Sequence, residues 1–374
     1  MLNIIHIFMA KLKKEKIFSI SLVLAVFTSL LVHPQISYIN FKVLVLLFNL
    51  MIIISAFQNL KVMDKIALEI LLKCKNTRML SMVFVIITFF ASMLVTNDVA
   101  LITFVPLCIL TFKKAKEDSM KTIIFQTLGA NIGSSLTPMG NPQNLFLFTY
   151  YNLDGVQFFF VTIPFVVFGV LWLILLNKRI LKQEIQLYPE IVHTEDKKRI
   201  IIYLILFVMI IFSVFNVINY MYAFLVTTIC IIFMDKYLIK QVDYFLLATF
   251  VCFFVFIGNI SNIEFIQSYL RYFLQRPDMP YFFSLILSQI ISNVPCSILV
   301  SGFTDNWREV LLGVNIGGMG TLIASLASLI SYKIYINEYK EKNKMFFNKF
   351  NIYNFISLFL FAYINYLYIH LVFK

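Results

Sequence analysis

Apolar residues run along this chain in long, nearly unbroken stretches separated by short polar segments, rather than in alternating or helical stripes. Because one helix needs about 20 consecutive apolar residues to cross a bilayer, each long stretch predicts a transmembrane helix. We expect full crossings at 17–33, 38–57, 121–151, 157–177, 200–218, 221–239, 244–260, 307–335 and 351–373. The pattern predicts an all-α polytopic membrane protein.

Two further apolar stretches, 79–112 and 281–303, are each interrupted by a polar tip. The tips are Thr96, Asn97 and Asp98 in the first stretch and Ser292 and Asn293 in the second. Each stretch predicts a re-entrant helical hairpin, which enters the membrane and returns to the same side. If the first stretch crossed fully instead, the basic clusters before and after it would face opposite sides of the membrane.

Basic side chains decide the predicted orientation, since Lys and Arg concentrate on the cytoplasmic side of membrane proteins. With these crossings and hairpins and a cytoplasmic N-terminus, most of the 31 Lys and Arg residues lie inside. The exceptions are Lys42, Arg271, Arg276, Arg308 and Lys374. We therefore expect a protein of the cell membrane with its N-terminus in the cytoplasm and its C-terminus outside.

A short repeat relates the two halves of the sequence. Gly-Ala-Asn-Ile-Gly at 129–133 recurs as Gly-Val-Asn-Ile-Gly at 313–317, and each copy follows a hairpin tip. An amphipathic stretch suited to the membrane interface precedes each hairpin, at 60–76 and 261–276. The extra crossing at 200–218 makes the second half begin on the opposite side of the membrane, an arrangement typical of secondary transporters.

We therefore expect two inverted repeats, each with one re-entrant hairpin and one broken transmembrane helix. The predicted units are a first repeat at 1–177 (hairpin 79–112, broken helix 121–151), a cytoplasmic linker and connecting span at 178–220, and a second repeat at 221–374 (hairpin 281–303, broken helix 307–335).

The predicted breaks rest on residues that weaken helices. The segment from Gly133 to Pro142 contains two prolines and begins with a glycine, so it cannot be a regular helix. The glycine-rich segment from Gly317 to Thr321 predicts a matching break in the second half. Non-helical backbone is tolerated in hydrocarbon only where it lines a cavity or is buried in protein. The alternatives are a simple kink or a close-packed helix face of small residues.

Asp98 is the one residue among the 19 Asp and Glu that lies deep within an apolar stretch. A charged side chain at such depth is costly and indicates a functional role by default, so we expect it to bind a cation or a proton. The alternative is that its carboxylate only caps the returning helix.

The hairpin tips and the two breaks together form the predicted site for substrate and ion. Its members are Thr96, Asn97, Asp98, Asn131, Gly133, Ser135, Thr137, Gly140, Asn141, Asn144, Ser292, Asn293, Asn315, Gly317, Thr321 and Ser325. Helix N-termini can attract an anion, while unwound carbonyls can coordinate cations. Sodium is expected only transiently, at Asn97, Asp98 and Asn293, with no structural metal and no cofactor.

Composition agrees with this picture, with 60% apolar and 13% charged residues. The net charge of +12 does not indicate nucleic acid, because the basic residues cluster between the apolar stretches. The five cysteines form no metal-like or CxxC spacing, and we interpret them as small hydrophobic residues. Since no catalytic motif appears either, we do not expect an enzyme.

The chain resembles the ion transporter superfamily, which includes divalent anion/sodium symporters, citrate transporters, arsenite efflux permeases and a class of sodium/proton antiporters. The resemblance rests on the first tip, on the run from Gly129 to Asn144 (GANIGSSLTPMGNPQN), and on Ser292-Asn293 with the motif at 313–317. It implies a homodimer in the bilayer, in which a transport domain moves like an elevator and the stretches 60–76 and 261–276 form horizontal arms.

The same resemblance bears on the substrate. The dicarboxylate symporters carry Ser-Asn-Thr at both tips, whereas this chain has Asp98 in the first tip and Val294 after the second. Val294 cannot donate a side-chain hydrogen bond, and an ionised Asp98 would repel a bare carboxylate. These departures favour the citrate, arsenite and antiporter branches over the dicarboxylate symporters.

Three hypotheses follow for the function. The first is a cation-coupled secondary transporter of a small anion, either an organic acid such as citrate or an oxyanion, with sodium or protons as the coupling ion. The second is a sodium/proton antiporter that uses Asp98 as its exchange site. The third is an ion channel or a membrane-embedded enzyme. A channel needs a continuous pore rather than a sealed site between inverted repeats, and an enzyme needs nucleophilic or metal-binding groups, for which the sequence shows no motif.

Overall fold

The computed structural model describes residues 15–71, 74–185 and 196–373. The predicted cytoplasmic N-terminus at 1–14, linker residues 186–195 and the C-terminal Lys374 lie outside these ranges. Within them the chain is helical, without a strand. The helices are α1 Lys16–Ser29, α2 Phe41–Asn59, α3 Val62–Leu71, α4 Thr77–Val95, α5 Asn97–Lys114, α6 Met120–Ser134, α7 Pro142–Tyr150, α8 Gly155–Asn177, α9 Lys197–Val214, α10 Tyr220–Asp235, α11 Tyr244–Ile260, α12 Glu264–Leu274, α13 Met279–Ile291, α14 Asn293–Ser301, α15 Trp307–Gly317, α16 Leu326–Glu338 and α17 Asn343–Phe373.

Five segments of the described chain are long and apolar enough to cross a membrane. They are Phe41–Asn59, Thr77–Val95, Gly155–Asn177, Tyr220–Gln241 and Lys340–Phe373. Apolar side chains also cover the outer surface, and Phe233 on α10 is 85% exposed. Such extensive exposed apolar surface suits lipid rather than water. The prediction of an all-α polytopic membrane protein is confirmed.

Several predicted boundaries differ from the helix ends in the structure. The crossing expected at 17–33 is helical only to Ser29, and Pro34 follows closely, whose ring disfavours helical backbone at the preceding residue. The last helix, α17, begins at Asn343, well before the predicted start at 351. After the crossing at 244–260 the chain bends by 99° into the amphipathic α12. Such a bend is expected where a helix turns to lie along the interface.

Helix packing in the first half recurs in the second half, with α1–α8 corresponding in order to α10–α17. Helix α4 packs along α6 as α13 packs along α15, and α1 packs on α11 as α10 packs on α2. Helix α5 contacts α16 as α14 contacts α7. The two halves therefore share one packing pattern. In each half, the half-helix after the break packs against the hairpin of the other half.

Close packing explains two glycines that were expected to lie in unwound backbone. Gly133 lies within α6, and a Cβ added to it would lie 2.3 Å from the carbonyl oxygen of Phe89 on α4. Gly317 is the last residue of α15, and its Cβ would lie 2.8 Å from Cβ of Ser288 on α13. The prediction that the unwound segments begin at these glycines is wrong, because both let helices approach closely.

The first hairpin, α4–α5, begins and ends at the same end of the molecule. Arg78 at the start of α4 donates through Nε to the carbonyl oxygen of Ile180 at 2.9 Å. Lys121 at the start of α6 donates to the neighbouring carbonyl of Arg179 at 3.3 Å. Since the single residue Thr96 joins α4 to α5, the chain reverses there and returns to the end from which it came.

The second hairpin, α13–α14, is anchored elsewhere. Thr304, just after α14, donates through Oγ1 to the carbonyl of Leu274, just before α13, at 3.3 Å. The hydroxyl of Tyr151, directly after α7, donates to the carbonyl of Thr304 at 2.7 Å. This hairpin therefore starts where the α6–α7 segment finishes, whereas the first hairpin returns to where that segment starts.

Cysteine labelling tests the predicted orientation of the first hairpin. A cysteine at position 154 is expected to react with an impermeant maleimide from outside intact cells, because Asp154 is exposed just before α8. A cysteine at the exposed position 116 is expected to react only after the membrane is permeabilised. The unsubstituted protein serves as the background control, since four of its five cysteines are buried. External labelling at position 116 would mean that α4 and α5 together carry the chain across.

Candidate functional site

Both predicted breaks are present, and both leave non-helical backbone between buried helices. Helix α6 ends at Ser134 and α7 begins at Pro142, with a short 3₁₀ turn between them. Helix α15 ends at Gly317 and α16 begins at Leu326. Proline is tolerated at the first position of a helix, where its missing N–H needs no partner. Asn141 caps α7, because its side chain accepts a hydrogen bond from the backbone N–H of Asn144 at 2.8 Å.

The two hairpin tips share an unusual backbone conformation. Thr96 has φ 75° and ψ 151°, and Ser292 has φ 76° and ψ 153°. This region is occupied almost only by glycine and costs other residues about 1–3 kcal/mol. Each residue directly precedes the returning helix and occupies its N-cap position. Such strain persists where surrounding packing fixes it, and it is frequent at functional sites.

Asn131 connects the first tip with the second break. Its Oδ1 accepts hydrogen bonds from Nδ2 of Asn97 and from Oγ of Ser325, both at 3.2 Å. Its Nδ2 donates to the carbonyl oxygen of Gly318 at 3.3 Å. The amide therefore joins one hairpin tip to both ends of the break in the other half.

Asn315, the counterpart of Asn131, connects its helix with the first break. Its Nδ2 donates to Oδ1 of Asn144 at 2.7 Å. Its Oδ1 accepts from Oγ of Ser135 at 3.0 Å and from Nδ2 of Asn141 at 3.2 Å. Because Ser135 also donates to the carbonyl of Asn131 at 2.8 Å, the two asparagine clusters form one buried network.

The remaining predicted residues hold the breaks and tips in place. The hydroxyl of Thr137 donates to the carbonyl of Met93 near the end of α4. Gly140 allows its loop to approach Ser134, whose carbonyl oxygen would lie 2.2 Å from an added Cβ. At the second tip, the backbone N–H of Asn293 donates to the carbonyl of Ala324 at 2.9 Å. The N–H group of Asn293 is therefore already hydrogen-bonded to the second break.

Gln289 is a site residue that the sequence analysis missed. Its Nε2 donates to the carbonyl of Gly317 at 2.7 Å, and its Oε1 accepts from the backbone N–H of Thr321 at 3.0 Å. The hydroxyl of Thr321 in turn donates to the carbonyl of Gln289 at 3.0 Å. An amide within the apolar stretch 281–303 is the signal that could have identified it, by the same argument that identified Asp98.

His370 also gains a partner that the sequence did not indicate. Its Nε2 lies 3.2 Å from a carboxylate oxygen of Asp278, which directly precedes α13. The two residues are 92 positions apart, so only the fold brings them together. This contact links the end of α17 to the start of the second hairpin, far along the chain from the asparagine network.

Asp98 faces a cavity of about 250 Å³ beside the first break. Leu47, Ile54 and Leu145 contribute to its largely apolar wall, and Thr96 and Asn141 line it beside the network. Within the described residues the Asp98 carboxylate has neither a hydrogen-bond donor nor a positively charged partner. Its backbone N–H, by contrast, donates to Oδ1 of Asn97 at 3.0 Å. The carboxylate therefore does not cap the helix through a hydrogen bond and stays open to the cavity.

This arrangement defines what the site can do chemically. Amide and hydroxyl groups of the network are neutral and mutually hydrogen-bonded, and oxygen atoms of this kind suit hard cations. The open carboxylate supplies a negative charge next to them. The site can thus hold a cation or a proton at Asp98 and offers polar groups for a solute.

Comparison with known proteins identifies the family to which this chain is similar. The family described as citrate transporter matches residues 4–304. The "uncharacterized transporter MJ0456" of Methanocaldococcus jannaschii is 38% identical over 299 residues, which are 79% of this chain and 81% of that protein. The "inner membrane protein YbiR" of Escherichia coli is 27% identical over 79% of this chain and 80% of its own length. The "putative transporter arsB" of Dictyostelium discoideum is 28% identical over 43% of this chain and 30% of that protein.

The family match identifies this multi-pass helical protein, with its polar site between two broken helices, as a membrane transporter. The match over most of its length makes the assignment specific. The chain belongs to the citrate transporter family, and the resemblance to the ion transporter superfamily is confirmed.

Proposed function

We propose that this protein is a cation-coupled secondary active transporter of a small anion, either an organic acid such as citrate or an oxyanion. The observation that carries the proposal is the open carboxylate of Asp98, which lines a cavity and has no partner in the described chain. An ionised carboxylate in a membrane interior needs a compensating cation or proton. A coupling ion that binds to the Asp98 carboxylate compensates this charge.

The anion part of the proposal rests on the two tips and on the family. Helix α5 begins at a tip that contacts Asn131, and α14 begins at a tip that contacts the second break, so the positive ends of two helix dipoles point into the site. A bound cation at Asp98 would offset the repulsion between its carboxylate and an anionic solute. The family description of the match, citrate transporter, favours an organic acid.

Inverted repeats and elevator-type alternating access complete the proposal. The recurrent helix packing supports two related halves, and the opposite anchoring of the two hairpins supports their inversion. In this arrangement the hairpins and breaks move together against the remaining helices. Gln58 and Gln241 line the cavity, and the basic residues Lys61 and Lys240 lie close to them in the sequence, so we infer that this cavity opens to the cytoplasm.

A sodium/proton antiporter is the second candidate function. It is favoured by the same open carboxylate, since an exchanger needs one group that binds the two cations in turn. It needs no site for an organic solute.

Reconstituted proteoliposomes test the proposal directly. Uptake of radiolabelled citrate, other organic acids and inorganic oxyanions is measured with an imposed sodium gradient, an imposed proton gradient or neither. We expect accumulation of at least one of these anions only when a cation gradient is imposed. Proton exchange reported by a pH-sensitive dye after sodium addition, without uptake of any anion, would support the antiporter instead. Equal flux with and without a gradient would contradict both.

A further inference from the structure

A second carboxylate faces the cavity that contains Asp98. Asp243 lies at the exposed mouth of this cavity, in the connection between α10 and α11. Its Oδ1 accepts a hydrogen bond from the backbone N–H of Leu246 at 3.0 Å and so caps α11. Within the described residues it forms no ion pair, so no positive side chain balances its charge at the mouth of the cavity.

Helix capping does not account for the negative charge of Asp243. In the corresponding position of the first half, Asn40 caps α2 by accepting from the backbone N–H of Val43 at 3.2 Å. An amide therefore makes the same cap at the same place, as expected from the similar capping strength of Asn and Asp. The charge at position 243 requires another explanation.

The cavity also contains an uncharged oxygen that lacks a partner. Ser55 on α2 is only 9% exposed and lines the cavity, and its hydroxyl has no hydrogen-bond partner among the described residues. This oxygen keeps some accessible surface and is open to a ligand in the cavity. A cation between the two carboxylates would satisfy the lone pairs of this oxygen.

We propose that Asp98, Asp243 and Ser55 form one binding site for a small hard cation such as sodium, with Asp98 as the inner ligand and Asp243 as the charge at its mouth. Carboxylate and hydroxyl oxygens are ligands that hard cations prefer. Two negative charges around a small cavity concentrate cations there and strengthen their binding. This inference rests on the proposed function, because it takes Asp98 as the site of the coupling cation.

The site joins two separate parts of the fold. Asp98 lies on the first hairpin, whereas Asp243 lies before α11, which packs on α1. The complete site therefore exists only while the hairpin tip lies next to the start of α11. Once the tip moves away, Asp98 loses the field of the second carboxylate and binds the cation more weakly.

Sodium titration of the purified full-length protein tests this inference, with thermal unfolding as the readout. Sodium chloride is varied at low ionic strength, with choline chloride as the counterpart salt, since a ligand that binds the folded state raises the Tm. For Asp243→Asn we expect a half-saturating sodium concentration about fivefold above that of the unsubstituted protein, and a smaller difference at high choline chloride because salt screens exposed charges. Asp154→Asn, which alters another N-cap outside the cavity, is the matched control and is expected to change nothing.

The outcomes separate this inference from the proposed function. Asp98→Asn is expected to lose sodium stabilisation, and retention of it would contradict the role of Asp98 in both. If Asp98→Asn loses the effect but Asp243→Asn retains the original half-saturation, the two-carboxylate site is wrong and the proposed function stands. An absence of sodium stabilisation in the unsubstituted protein would overturn the sodium site, while gradient-driven flux would still test the transporter.

Discussion

Asp98→Asn is expected to lower gradient-driven transport by at least about 100-fold while the protein still folds. Removing one partner of a buried charge interaction costs about 3 kcal/mol or more, and each 1.4 kcal/mol corresponds to a factor of ten. The Asp98 carboxylate accepts no hydrogen bond within the described chain, so the amide breaks no existing contact there. Asn also retains the shape of the side chain in the first turn of α5.

Uptake into proteoliposomes under the coupling-ion gradient is the measurement, with Tm and expression recorded in parallel. Asp98→Glu keeps the charge and serves as the matched variant, for which we expect partial transport that still depends on the gradient. Transport by Asp98→Asn that remains driven by the same gradient would exclude a coupling role. The carboxylate would then contribute only through its position near the helix dipole, which is worth about 0.3–1 kcal/mol.

Asn315→Leu is expected to destabilise the protein by about 3 kcal/mol. Asn315 is 3% exposed, and its amide bonds Ser135, Asn141 and Asn144 across the two halves. Leucine has a similar size but removes three hydrogen bonds. Ser135 and Asn141 keep other partners, whereas Oδ1 of Asn144 loses the one donor it has among the described residues. An unsatisfied buried polar group costs about 1–3 kcal/mol. The Tm of the purified protein should fall by several degrees.

Asn49→Leu is the matched control, because the same substitution should have the opposite consequence. Asn49 on α2 is fully buried, and neither atom of its amide has a hydrogen-bond partner among the described residues. Replacing an unsatisfied amide with a hydrophobic side chain of similar size is expected to be neutral or stabilising. Equal losses of Tm in the two variants would show that the hydrogen bonds of Asn315 contribute nothing beyond filling space.

Local patterns in the sequence were sufficient to locate the helical elements of the site. The helix-breaking residues between Gly133 and Pro142 predicted the first break, and polar residues within apolar stretches predicted both hairpin tips. These predictions succeed because hydropathy and backbone propensity depend on the residue and its neighbours in the chain. The same reasoning placed Gly133 in the break and failed, because a glycine that allows close helix packing and one that unwinds a helix look alike in sequence.

By itself, the sequence determined that this is a polytopic helical membrane protein with two polar tips and two breaks. Only the tertiary structure decided which of these groups meet. Asn131 bonds Ser325, which is 194 residues away, and Asp98 shares a cavity with Asp243, whose sequence context suggested nothing more than a helix start. The physical reason is that a hydrogen bond or a shared electric field depends on distances between atoms. Folding sets those distances between segments that have no local relation along the chain.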